Sequence, residues 1–585
     1  MEDSINQNNF EHLLSIGAVY EIIYKFIEKN DINSLSICSK RLNQIYCNQI
    51  KKLKIIIYLE TFKIPKYKNL ISLNLEGWKG NNDFSFISEL KNLEELNLRD
   101  TKISELSFLG KNKNLKKLNL SVKQWELEKI KDFSFMSNLE KLEDLDISGR
   151  AIKNIKFLVK NINLKRLDLH KCKIKKISVL SNLTKLEDLN IHGLPVSDIS
   201  VLENNKNITK LDIGFTHVSD ISVLKYNQNI TDLNVGGTSV SDISVLENNQ
   251  NITKLDISHC LSIKDFSVLS KLEKLEELYI SGTHQNDLSY LSKSKNIKIL
   301  NLERNEKKEN WHFYFKDYSF LSKLKKLEDL NLTWSNFSNI SFLKETKGIK
   351  KLCLSYCIFL KNCSVLSNFM ELEEIDLAHT DISDISFLKN NINIKKLNLE
   401  KCELIDDFSF MSNLEKLEEL NLSETNISDI SFIEKNLNIK KLYLSKCKQI
   451  KNFSFIKNLK KLEEFNAKST NVSDISFLEE KKKLKYLDLS YCTNIKDFSY
   501  ISNSEKLENL KLEKSNISDI SFIENIKYIK ILNIYLCYNI KDYSPLLYLK
   551  TLEKLDVGMT DGDYMPSGYV DKIKNNNING ETFVF

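Results

Sequence analysis

Residues 417–433 read LEELNLSETNISDISFI and residues 439–456 read IKKLYLSKCKQIKNFSFI, two variants of one unit that returns every 22 or 23 residues. In each, three apolar residues (Leu417, Leu420 and Leu422; Ile439, Leu442 and Leu444) precede a small polar or thiol residue, Thr425 or Cys447. Alternation of Leu420 and Leu422 with Glu419 and Asn421 predicts a short strand with one face in a core and the other in water. Thr425 and Cys447 fall where the chain leaves that strand and can hydrogen-bond backbone left open by the turn. Ile427, Ile430 and Ile433 then close the far side of the coil. One such unit buries almost nothing by itself, so its stability has to come from neighbours stacked on either side.

Outward from this pair, the first apolar position recurs from Leu70 to Leu552, which makes 22 units. At ~4.8 Å between neighbouring strands the stack runs roughly 100 Å. Only Pro65, Pro195, Pro545 and Pro566 occur, so no proline-rich linker divides it. The expected architecture is an α/β solenoid: a curved array over residues 66–560 with a parallel β-sheet on its concave face, an α-helical N-terminal cap in residues 1–60, and residues 561–585 as a C-terminal cap or tail.

Composition narrows the function. Net charge is +6 with 85 basic and 79 acidic residues, too mixed in sign for a nucleic-acid binder. There is no apolar run of membrane length, and Met1 to Asn9 is acidic and polar rather than basic and then apolar, so a cytoplasmic protein is expected. Eleven cysteines lacking paired spacing read as reduced thiols. Seven of them, from Cys172 to Cys537, take the turn position after the strand, roughly 10 Å apart where they occupy alternate units, which is too far to share a metal ion. His170 and His192 stand in consecutive units but make only a lone pair. No glycine-rich phosphate loop and no convergent catalytic constellation is present, so the reading is non-enzymatic, with no cofactor and no metal.

The outward strand positions carry their own pattern. The residue before the middle leucine alternates in sign from Glu95, Lys117, Asp144 and Arg166 through to Lys441 and Glu464, with Ile299 as the break. Parallel stacking sets each acid between two bases, either as register control or as a recognition surface. The position between the second and third leucines is Asn or Asp in 18 of the 22 units and is interrupted by Tyr279, Cys353, Tyr443 and Lys511. Two units are oversized, around Val122 to Ile130 and around Glu303 to Lys316. The second insertion holds Trp311, Phe313, Tyr314 and Phe315, aromatics that are costly to leave in water. That loop is either a contact patch or packing against the coil. Partner contacts are expected at Trp311, Phe313, Tyr314, Phe315, Tyr279 and Tyr443.

Residues 10–60 follow a helical rather than a strand period. YEIIYKFIEKNDINSLSICSKRLNQIY, Tyr20 to Tyr46, resembles an F-box, and it also fits a helical cap over the first unit, two roles that can coexist. The F-box resemblance implies docking of a Skp-type adaptor through Ile22, Ile23, Phe26, Ile27 and Leu35. Residues 66–560 resemble the 22-residue class of leucine-rich repeats found in phosphatase regulatory subunits and internalins, whose Asn/Thr-x-Ile-Ser-Asp-Ile-Ser pattern stands at Thr470 to Ser476. The Lys-, Asn- and Ile-heavy composition is similar to repeat proteins of amoebae and of the giant viruses that infect them. Together these resemblances imply a monomeric protein-binding scaffold, either the substrate-recognition subunit of a cullin-type ubiquitin ligase or a regulatory subunit clasping an enzyme such as a protein phosphatase.

Overall fold

A three-residue strand is too short to persist alone, so each one here is held by its neighbours. In the computed structural model, Leu420 is the fully buried centre of the strand Glu419–Asn421, whose two flanking side chains face outward. This strand pairs in parallel with Lys396–Asn398 on one side and Lys441–Tyr443 on the other, and the register sets Leu397, Leu420 and Leu442 in one column. Hydrogen bonding continues past the strand ends. Glu418 N–H donates to the Lys395 carbonyl at 2.7 Å, and Leu422 N–H to the Tyr443 carbonyl at 2.9 Å.

The structure describes residues 52–54, 68–78, 83–123, 130, 132–283, 287–304, 317–558 and 582–584. The chain forms two compact units, residues 1–252 and 253–585. Among the described residues, the first holds nine parallel strands in chain order, from Lys52–Lys54 to Asp232–Asn234, and the second holds fifteen, from Lys254–Asp256 to Thr582–Val584. Single turns of 3-10 helix join successive strands, and no α-helix occurs among these residues. Most turns are preceded by a side-chain acceptor: Asp429 Oδ1 accepts the Ser431 N–H at 2.8 Å ahead of the turn Ser431–Glu434.

Two strands lie outside the leucine spacing. Lys52–Lys54, within the span expected to be helical, pairs in register with Ser72–Asn74. Thr582–Val584, within the expected C-terminal cap or tail, pairs with Lys554–Asp556. The remainder of the expected N-terminal helices, in 1–51 and 55–60, lies outside the described residues.

Inside the coils, polar side chains serve the backbone of their own coil or of the coil before. Thr425 Oγ1 donates to the Leu422 carbonyl at 2.7 Å, and Cys447 Sγ, one coil on, donates to the same oxygen at 3.0 Å. Thr380 with Cys402 and Thr470 with Cys492 repeat the arrangement on the carbonyls of Leu377 and Ala467. Burial pushes these thiols upward, Cys402 to about 11, so they are inert at neutral pH. Gly149 is required at the turn after its strand, because at φ +73° a Cβ there would lie 2.1 Å from the Val122 carbonyl oxygen.

A second buried position holds mostly leucine or asparagine. Asn436 Nδ2 donates to the carbonyls of Met411 and Leu414 at 3.1 and 2.8 Å, and Asn112, Asn161, Asn205, Asn227, Asn249 and Asn391 do the same in their coils. Lys481 takes this place between Leu459 and Ser504 and is 1% exposed. Its Nζ donates to the Lys457 carbonyl at 2.9 Å, and burial pulls its pKa down to about 8. The folded state thus binds the proton less tightly than the unfolded state, whose lysine titrates near 10.5, so stability rises as pH climbs from about 8 toward 10.5. Lys481→Asn should stabilise the chain at pH 7 by about 1–2 kcal/mol and abolish that slope, read by urea unfolding at a series of pH values.

Candidate functional site

The outward side of the strands presents four parallel columns of side chains. The expected sign alternation before the middle leucine is there, and its members bridge in both directions. Glu374 lies 3.5 Å from Lys351 and 3.1 Å from Lys396, and Arg166 reaches both Asp144 at 2.9 Å and Asp188 at 3.6 Å. A second ladder runs beside it, one residue earlier. Glu94–Lys116, Glu143–Lys165, Glu276–Lys298, Glu328–Lys350, Glu373–Lys395, Glu418–Lys440, Glu463–Lys485 and Glu508–Lys530 all close within 2.9 Å. The doubled charges in Leu-Glu-Glu-Leu and Ile-Lys-Lys-Leu are the signal from which sequence reasoning could have found it. All these pairs are at least partly exposed to solvent, and each contributes about 0–1 kcal/mol.

The Asn/Asp column has a backbone task. Asn421 Oδ1 accepts the Ser423 N–H at 3.0 Å, Asp376 the Ala378 N–H at 2.9 Å, and Asp488 the Ser490 N–H at 2.9 Å. Each outward side chain fixes the turn two residues ahead. Tyr279, Tyr443 and Lys511 carry no acceptor that reaches this amide, whereas the Cys353 thiol keeps a weak contact with Ser355. Tyr279, Tyr443 and Lys511 thus lack the local hydrogen bond that Asn or Asp makes here.

Two of them are tyrosines set against charge. Tyr443 donates its hydroxyl to Glu464 at 2.5 Å, which with burial holds the phenol well above its usual range. Tyr279 donates to Glu277 at 3.3 Å under the Lys254 ammonium, and burial beside Glu277 pushes it up to about 12. Both phenols stay neutral donors at physiological pH. The other expected contact residues, Trp311, Phe313, Tyr314 and Phe315, and the adaptor-docking set Ile22, Ile23, Phe26, Ile27 and Leu35, lie outside the described residues.

Sequence reasoning missed an aromatic stack. Trp334, Tyr356 and His379 occupy the same turn position in three consecutive coils, with ring centroids 4.3 and 4.2 Å apart and planes within 12°. All three have φ near +60°, a strained conformation for bulky residues. Their relation depends on that turn, which the leucine spacing does not reveal. His170 and His192 do not combine: the first pairs with Asp168 at 2.8 Å, which raises its pKa, and the second with Asp212 at 3.2 Å. Among the described residues no group of three or more His, Cys, Asp or Glu side chains could hold a metal ion, and no helix is long and apolar enough to cross a membrane.

With coil, register and turn in view, comparison with known families matches residues 162–204 to Leucine Rich repeats (2 copies) and residues 325–451 and 422–541 to the BspA type Leucine rich repeat region (6 copies). The chain has the leucine-rich-repeat fold. A leucine-rich-repeat protein of Leptospira interrogans shares the fold at 18% identity and a TM-score of 0.54, over 65% of this chain and 98% of that one. An internalin of Listeria monocytogenes aligns at 23% identity and a TM-score of 0.39, over 61% and 89% of the two chains. Comparison with curated proteins gives no match. In this leucine-rich-repeat fold, Tyr443→Asn and Lys511→Asn should restore the missing backbone acceptor. Each should raise the unfolding free energy by about 0.5–1.5 kcal/mol in denaturant titration, whereas Asn421→Ala should lower it by a similar amount.

Proposed function

We propose that the chain is a non-enzymatic scaffold that binds a protein partner across its strand face. The observation that carries this reading is the replacement of the backbone-capping Asn/Asp by Tyr279, Tyr443 and Lys511 on a face where the other charges largely neutralise one another. A residue that forgoes a stabilising hydrogen bond in an exposed position has its use outside the fold, and tyrosine is the residue type that most often anchors interfaces. The aromatic loop holding Trp311 and Tyr314 is a further anchor in this reading. The F-box resemblance of Tyr20 to Tyr46 supports a finer role, the substrate-recognition subunit of a cullin-type ligase, with a Skp-type adaptor held by Ile22, Ile23, Phe26, Ile27 and Leu35.

Cross-linking and co-purification of the full chain from its natural cell separate these claims. Tyr279→Asn with Tyr443→Asn should remove the specific partner while folding is kept or improved, and Ile22→Asp with Phe26→Asp should remove only the Skp-type adaptor. Trp311→Ala with Tyr314→Ala should weaken partner capture by at least about 2 kcal/mol with the unfolding midpoint unchanged. Capture that is indifferent to both tyrosines contradicts the strand-face reading. A phosphatase in place of the adaptor would replace the ligase role with enzyme regulation.

A further inference from the structure

The bridging charge ladder ends at Glu464. In the next three strands its column is filled by Tyr486, Asn509 and Ile531, none of them charged and all half-buried. In the neighbouring column Lys511 is the one base among the Asn, Asp, Tyr and Cys residues of the strands from Ser72–Asn74 to Lys554–Asp556. Beyond Glu464 the alternation that compensates charge along this column therefore lapses.

Side-chain partners there divide in a consistent way. The Lys511 ammonium lies over the Tyr486 ring, 5.3 Å from its centroid. The Tyr491 ring lies beneath two ammonium groups, Lys468 at 5.1 Å and Lys514 at 5.6 Å. The nearby carboxylates are meanwhile engaged by phenols and backbone: Glu513 accepts from the Tyr491 hydroxyl at 2.7 Å, and Asp488 accepts from the Ser490 N–H at 2.9 Å and the Tyr486 hydroxyl at 3.3 Å. Lys468 reaches Glu513 only at 4.0 Å. Among the described residues, no carboxylate lies within ion-pair distance of Lys511 or Lys514. Two cations thus rest on aromatic rings with their ion-pairing capacity unspent, and Tyr535, half-buried and packed over Gly558, extends the aromatic surface one coil further.

Taking the strand face as the protein-binding surface proposed above, we infer that these coils dock an extended acidic segment of the partner. Its carboxylates would meet Lys511 and Lys514, and its intervening side chains would lie on Tyr486, Tyr491 and Tyr535. Charge complementarity selects an acidic occupant. The carboxylates of Glu464, Asp488 and Glu513, spaced between the lysines, fit discrete acidic residues better than the continuous phosphate backbone of a nucleic acid, and the lysines already cover ring faces on which bases would stack.

The test uses the purified full chain and a fluorescent decapeptide of alternating glutamate and serine, with its glutamine counterpart and an oligouridylate of similar length as comparisons, followed by anisotropy. The glutamate peptide should bind, with the glutamine peptide at least about tenfold weaker. Lys511→Gln with Lys514→Gln should weaken the glutamate peptide about tenfold, whereas Lys395→Gln with Lys440→Gln, which removes the same charge from the ladder, should change it less than about threefold. Equal losses in the two variants, equal binding of the two peptides, no binding of the glutamate peptide, or tighter binding of the oligouridylate would each overturn the inference. A partner captured from cells through Tyr279 and Tyr443 would survive any of these results, so this failure is distinguishable from failure of the scaffold reading.

Discussion

Everything in this molecule depends on a leucine column that no single coil can bury. Leu397, Leu420 and Leu442 are at most 2% exposed because the coils before and after each one supply its surroundings. Complete burial of a leucine stabilises by about 1.5–3 kcal/mol, and a coil that loses its neighbours loses most of that. The 22- or 23-residue period is therefore a physical requirement. A residue inserted within the strand would move the column to the outer face, and the two extra stretches in the sequence fall between strands.

Backbone satisfaction is the second layer, and it explains the polar residues of the repeat. Thr425 and Cys447 share one carbonyl, Asn436 ties together two others, Asp429 caps a 3-10 turn and Asn421 caps the turn after the strand. Nearly every small polar side chain of a coil thus answers to main chain. What remains for function is the set of positions where this duty lapses. Tyr443 and Lys511 lapse on the outer face, where a partner can use them. Lys481 keeps one carbonyl where Asn436 keeps two, and it lies inside, where it offers nothing to a partner.

The sequence made the repeat, the strand centres from Leu73 to Leu555 and one charge ladder legible, because each depends only on spacing. It hid what depends on the path between spaced residues. Asn421 reads as an outward polar side chain, and only the turn geometry shows that it holds the Ser423 amide. The second ladder was legible in Glu418 and Lys440 but was masked by the equal charges of Glu419 and Lys441 beside them. Lys52–Lys54 and Thr582–Val584 pair as strands without the leucine spacing, since at the end of a stack one matching edge suffices. Trp334, Tyr356 and His379 meet only because three consecutive turns adopt positive φ.

The central claim is that the interior column carries the fold while the charged outer face is structurally dispensable and so open to recognition. A paired stability measurement tests it. Neutralising three ladder pairs together, with Gln at Glu373, Lys395, Glu418, Lys440, Glu463 and Lys485, should cost no more than about 1–2 kcal/mol in denaturant unfolding, whereas the single change Leu420→Ala should cost about 2–5 kcal/mol. A ladder variant destabilised more than Leu420→Ala would show that the outer face holds the structure together, and the assignment of that face to partner binding would lose its physical basis.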